Sequence, residues 1–175
     1  MPQSALSAVQ GPLKQRYRED PAAALVTLRA TGRLGEGVSC SVETGRAMAD
    51  AGLHPATGGD GSQLCSGDML LEALVACAGV TLQAVATSLG LEVRGGTVRA
   101  EGDLDFRGTL AVDKSVPVGF TDIRLSFELD TDAVPEEIAT LTRLTERYCV
   151  VLQTITHSPL CTVSVRPRTA REKKQ

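Results

Sequence analysis

Five cysteines and two histidines are the side chains of this sequence best suited to chemistry beyond simple carboxylate acid–base work. A cysteine thiolate is a nucleophile and a metal ligand, so each thiol has to be weighed against an ordinary packing role. Cys77 lies in Leu74-Val75-Ala76-Cys77-Ala78-Gly79 and Cys149 follows Glu146-Arg147-Tyr148, both inside segments with helical periodicity. Spacing leaves two readings open for this pair: core filling, or two helical thiols that face each other. Because a helix interior does not itself acidify a thiol, a reactive Cys77 requires a cation from outside its own helix. Cys40 alternates with Val38 and Val42, and Cys161 with Val163 and Val165, so both are expected as inert core residues. Cys65 precedes a long apolar helix and is expected as a loop cysteine.

Other site chemistries find less support. Cys149, His157 and Cys161 give C-x7-H-x3-C, without the C-x2-C knuckles of a convincing zinc site. His54 and His157 each precede a proline turn, and no G-x-S-x-G nucleophile elbow occurs. The glycines at 32–37 and 58–61 lack the Lys-Ser/Thr ending of a phosphate loop.

The elements that must position the cysteines follow from periodicity. Ala24 to Ala30 alternates apolar and polar residues, as does Val38 to Val42 after Gly32, Gly35 and Gly37, which predicts a hairpin. Residues 44–67 hold turn residues and predict a long irregular connection. Ser66 or Asp68 is placed to cap a helix that runs to Leu89 and stops before Gly90. Its apolar residues, from Leu70 to Val85, cover nearly the whole circumference, which places it centrally in the fold or at a subunit interface. Two alternating strands follow, around Val98–Phe106 and Ile123–Leu129. A second helix begins near Asp132–Pro135 with one apolar stripe, Ile138 to Ile155, and ends at His157-Ser158-Pro159. Leu160 to Val165 reads as a last strand. The order ββ–α–ββ–α–β defines an α+β class.

Composition narrows the remaining classes. The 175 residues fit one folded domain at 23–166, with a polar N-terminal arm at 1–22 and a basic tail at 167–175. A formal charge of −3 gives no broad basic surface for nucleic acid or anionic membranes. Glu72, Gln83, Thr87 and Ser88 interrupt the stretch Met69–Leu89, which reads as a buried helix and not a membrane span. The opening residues, Met1 to Pro12, do not form a signal peptide, so the expected location is cytoplasmic, with free thiols in a reducing compartment.

Two motifs then resemble the OsmC/Ohr family. Gly67-Asp68-Met69-Leu70-Leu71-Glu72-Ala73-Leu74-Val75-Ala76-Cys77 is similar to its first cysteine motif, and Glu146-Arg147-Tyr148-Cys149-Val150-Val151 to its second. Asp103 to Leu129, including Gly119-Phe120-Thr121-Asp122-Ile123, resembles the strands between them, so the likeness spans roughly 24–166. The resemblance implies antiparallel sheets wrapped around two central cysteine-bearing helices in an intertwined homodimer. It implies a peroxidase that reduces small organic or lipid hydroperoxides, with Cys77 peroxidatic and Cys149 resolving. No metal or cofactor is implied, only an external dithiol reductant such as a lipoylated protein. The family's arginine and acid map to Arg33, with Arg29 in reserve, and to Asp68. Asp68 stands where many members have Glu, and Val150 stands where many have Pro. Nine residues at about 100° each put Asp68 and Cys77 on opposite faces of one helix. The alternative class is a non-catalytic, OsmC-like stress or ligand-binding dimer with structural cysteines.

Overall fold

The computed structural model describes residues 3–34, 40–42 and 52–165. Strand β1 (Leu25–Leu34) pairs antiparallel with β2 (Cys40–Val42), with Leu34 opposite Cys40, so the predicted hairpin is present. Its turn, and the side chains of Arg29 and Cys40, lie outside the described residues. Strands β3 (Gly95–Asp105) and β4 (Phe120–Asp130) complete an antiparallel sheet of order β2-β1-β3-β4.

Helix α1 (Gln3–Glu19) occupies the stretch read as a polar arm. It is held by its apolar anchor Tyr17, which is buried and donates its hydroxyl to the Ala56 carbonyl at 2.6 Å. Gln10 adds a bond to the Thr57 carbonyl at 3.1 Å. Helix α2 (Ser66–Leu89) ends on Gly90 at φ 69°, a left-handed turn in which glycine has no Cβ penalty. The cap position at its start is Cys65, without a side-chain cap bond, so Ser66 and Asp68 fall inside the first turn and are not the cap.

The core lies between α2 and the inner sheet face. Leu71, Leu74, Val75 and Ala78 pack with Val98, Ala100 and Leu104 from β3. The opposite sheet face is wet, as the alternation predicts: Arg124 bonds Asp103 at 2.7 Å and also Asp122, and Thr27 bonds Asp103 at 2.5 Å. A short helix α3 (Phe106–Thr109) follows β3 and buries Phe106.

Two expectations near the C-terminus are corrected. The second predicted helix is not continuous but two helices, α4 (Pro135–Tyr148) and α5 (Val150–Thr156), separated by extended backbone at Cys149. Leu160–Val165 pairs with none of the four strands. Its alternation is that of a strand, but Leu160, Val163 and Val165 are 95%, 92% and 84% exposed, and Cys161 is exposed rather than core.

Gly102 lies where β3, the start of β4 and α2 approach closely. A Cβ there would sit 2.5 Å from the Phe120 ring and 3.4 Å from Leu71. Gly102→Ala is therefore expected to lower unfolding free energy by about 1–3 kcal/mol through overpacking, measured by chemical denaturation; unchanged stability would contradict this packing.

Candidate functional site: two thiols at a helix break

Cys77 projects from the middle of α2, half-buried, while Cys149 is fully buried. Cys149 closes α4 and opens α5 at once, with φ −70° and ψ 104°. Its own N–H still bonds back to the Thr145 carbonyl at 2.9 Å, and its carbonyl accepts from Gln153 at 2.9 Å. The chain thus leaves one helix and enters the next within a single residue. The first N–H groups of a helix lack carbonyl partners within it, so the break creates donors beside the buried Cys149.

Those donors meet Cys77. Burial pushes the Cys77 thiol up, but hydrogen bonds from the Val151 N–H, the Cys149 thiol, the Thr81 hydroxyl and the Val150 N–H outweigh it. The net effect holds Cys77 below the ordinary thiol value, because each of these bonds favours the charged form. Cys149 moves the other way. Burial is the largest cause, and the bond it donates to Cys77 adds to it, so its thiol is pushed up to about 11 despite the Leu152 and Val151 N–H groups. Of the two, Cys77 is therefore the thiol that ionises more readily.

The donors acting on Cys77 among the described residues are neutral dipoles, with no cation among them. Sequence reasoning required an outside cation and did not foresee the helix break. The one local signal was the β-branched pair Val150-Val151, weak helix formers directly after Cys149. Thr81, four residues beyond Cys77, is a same-face neighbour by spacing alone.

The structure brings together Cys77 and Cys149 and does not bring Arg33 or Asp68 to them within one chain. Arg33 lies in β1 opposite Thr97, in register with the wet-face residues Arg99 and Glu101, and is exposed. Asp68 sits in the first turn of α2, where burial raises its carboxyl and the nearby His54 partly offsets this. His54 is itself fixed by stacking on Phe106 at 5.1 Å and by accepting the Ala56 N–H at 3.0 Å. Cys65 is half-buried at the start of α2. Among the described residues, no cluster of three metal-ligating side chains occurs.

The fold is α+β, with helices packed on one face of an antiparallel sheet. Residues 59–164, more than half the chain, match the OsmC-like protein family, and the chain belongs to that family. The fold is similar to that of an OsmC-like hydroperoxide resistance protein from Jannaschia sp. CCS1, at TM-score 0.58 and 16% identity over 84% of this chain and 95% of that one. It is also similar to an OsmC-like protein from Mycoplasma pneumoniae, at TM-score 0.53 and 15% identity over 77% and 86% of the two chains. No curated protein sequence gives a match.

Val150 occupies the first position of α5, where proline is tolerated, and Cys149 before it already has the extended backbone proline demands. Val150→Pro deletes one N–H donor to Cys77 while keeping the helix. The pH profile of Cys77 alkylation in the reduced protein is expected to begin below that of an ordinary thiol and to move upward in Val150→Pro. A superimposable profile would remove the Val150 N–H from the site.

Proposed function

We propose that this protein is a two-cysteine peroxidase that reduces organic hydroperoxides to alcohols. The observation that carries the reading is the thiol pair itself: Cys77 and Cys149 come from separate helices, pack into one cluster, and have oppositely displaced acidities. The Cys77 thiolate attacks the terminal oxygen of R–O–O–H; an S–O bond forms, the O–O bond breaks, and alkoxide departs. Cys149, neutral at physiological pH, is the adjacent proton donor that turns alkoxide into alcohol. Loss of that proton leaves a Cys149 thiolate beside the Cys77 sulfenic acid. Attack on that sulfur forms the disulfide and releases hydroxide, which takes a proton from solvent and leaves as water. An external dithiol, of the lipoyl type, then reduces the disulfide by two exchanges and is itself oxidised to a disulfide. Each step balances without metal or flavin.

Cys77 packs against the same apolar cluster as Val151, Leu152 and Ile155, which supports alkyl or lipid hydroperoxides over hydrogen peroxide. The reading also supports a homodimer. Helix α2 leaves Met69, Leu70 and Val80 about two-fifths exposed at 42%, 39% and 39%. An open cleft of about 980 Å³ beside β4, the edge strand among the described residues, is lined by Leu125, Phe127, Leu129, Ile138, Leu152 and Ile155. A second copy would cover both, and Arg33 and Asp68 would engage Cys77 from that copy. A reducing, cytoplasmic setting fits thiols that work in the free form.

With dihydrolipoamide as reductant, the wild type is expected to consume cumene hydroperoxide faster than hydrogen peroxide. Cys77→Ser should fall to the uncatalysed background, and Cys149→Ser should stall at the Cys77 sulfenic acid. A folded, fully reduced wild type that consumes no hydroperoxide would overturn the enzyme reading and leave a non-catalytic member of the family.

A further inference from the structure

We propose that the cavity at the start of α2 is a second binding site, for a small neutral aromatic molecule that offers one oxygen acceptor to the His54 ring. The inference is independent of the thiol pair. The cavity measures about 390 Å³, within the range of small-molecule sites, and lies between the start of α2, α3 and the turn at Pro55–Thr57. Its apolar wall is Leu53, Leu70, Leu104, Phe106, Val118 and Phe120. Leu53, Leu70 and Val118 are 42%, 39% and 74% exposed and form the rim, whereas Phe106 is buried and forms the floor. Among the described residues, no Asp, Glu, Lys or Arg lines it.

His54, which lines the cavity, supplies the polar contact. Its Nδ1 accepts the Ala56 N–H at 3.0 Å, which in the neutral ring places the proton on Nε2. That Nε2–H has no hydrogen-bond partner among the described residues. The ring is stacked on Phe106 at 5.1 Å. The turn that carries it is tied to α1, by the Tyr17 hydroxyl on the Ala56 carbonyl at 2.6 Å and by Gln10 on the Thr57 carbonyl at 3.1 Å. A donor fixed before a ligand arrives loses little freedom on binding. The Thr57 hydroxyl is already bonded to the His54 carbonyl at 2.9 Å, while Ser66 and Thr109 add hydroxyls to the wall. Two phenylalanine rings and an imidazole suit a flat aromatic body. An anion finds no lysine or arginine in the wall and meets Asp68 in the same first turn of α2 as Ser66 and Gly67. A cation is disfavoured by the N–H donor. Leu53, His54 and Thr57 also precede residue 59, where the family match begins, so this wall lies outside the matched region.

The test is a saturation-transfer NMR titration of the reduced full-length protein with benzyl alcohol, toluene and benzoate. The three share a ring and differ in the group offered to His54. Benzyl alcohol is expected to bind about fivefold more tightly than toluene, the scale of one neutral hydrogen bond, and more tightly than benzoate. His54→Asn keeps an acceptor for the Ala56 N–H at a position where asparagine caps well, but removes the ring donor. It should abolish the preference for benzyl alcohol over toluene, a ratio that cancels the contact area lost with the ring. Leu70→Trp fills the cavity from its rim and should weaken both ligands together, and Val118→Trp carries the same expectation if Leu70→Trp fails to fold. Leu160→Ser, at an exposed apolar residue away from the cavity lining, should change neither. Absence of saturable benzyl alcohol binding to the folded protein would overturn the proposal. So would benzoate binding ahead of benzyl alcohol, or a preference for benzyl alcohol that survives in His54→Asn.

Discussion

The interruption of the helix at Cys149 is the feature on which the site depends. Had α4 continued through Cys149, the Val150 and Val151 N–H groups would bond to carbonyls of the preceding turn, and Cys77 would be left in apolar surroundings. In such surroundings burial raises a thiol's pKa and leaves it inert. By ending one helix and starting another at a fully buried cysteine, the chain delivers a thiol and two backbone donors to the same sulfur. The rest of the architecture serves this contact. The sheet supplies the floor on which α2 lies, and α4 and α5 pack across α2, so the break faces Cys77.

The electrostatics of the pair follow from competition between desolvation and hydrogen bonding. Burial opposes ionisation of both thiols, yet only one of them receives enough donors to overcome it. The shared S–H···S contact counts with opposite sign for its two members. It stabilises the charge on the acceptor, Cys77, and is lost if the donor, Cys149, ionises first. Such a pair titrates as a unit, with the first proton leaving from the more exposed sulfur. Because the donors are fixed dipoles of the backbone and of Thr81, the acidity of Cys77 within one chain is less sensitive to salt than an exposed ion pair would be.

Periodicity made most of the scaffold legible. The strands around Val98 and Ile123, the hairpin, and the span of α2 with its Gly90 stop all rest on local patterns that survive in the fold. What periodicity cannot register is a one-residue break between segments that share an apolar stripe: Ile138, Leu141, Leu144, Val151 and Ile155 fit one long helix as well as two short ones. The same limit applies to Leu160–Val165, where strand alternation is present but none of the four described strands receives it. The N-terminal stretch, read as an arm with room for a short helix, differs in the length of that helix. Its prolines suggested an arm, but Pro12 is accommodated inside α1, and the buried Tyr17 ties the helix down. For the site, the two cysteines were identifiable from the motifs around them. Their proximity and the identity of the groups that ionise Cys77 came only from the three-dimensional arrangement.

The central claim is that Cys77 and Cys149 form a working redox pair inside one chain. The most direct measurement is to treat the fully reduced protein with one equivalent of an alkyl hydroperoxide, block the remaining thiols, and map peptides without reduction. The account predicts a single linked pair, Cys77 with Cys149, the loss of two hydrogens from the intact chain, and Cys65 and Cys161 recovered as blocked thiols. Recovery of both Cys77 and Cys149 as blocked thiols, or a disulfide joining other cysteines, would contradict it.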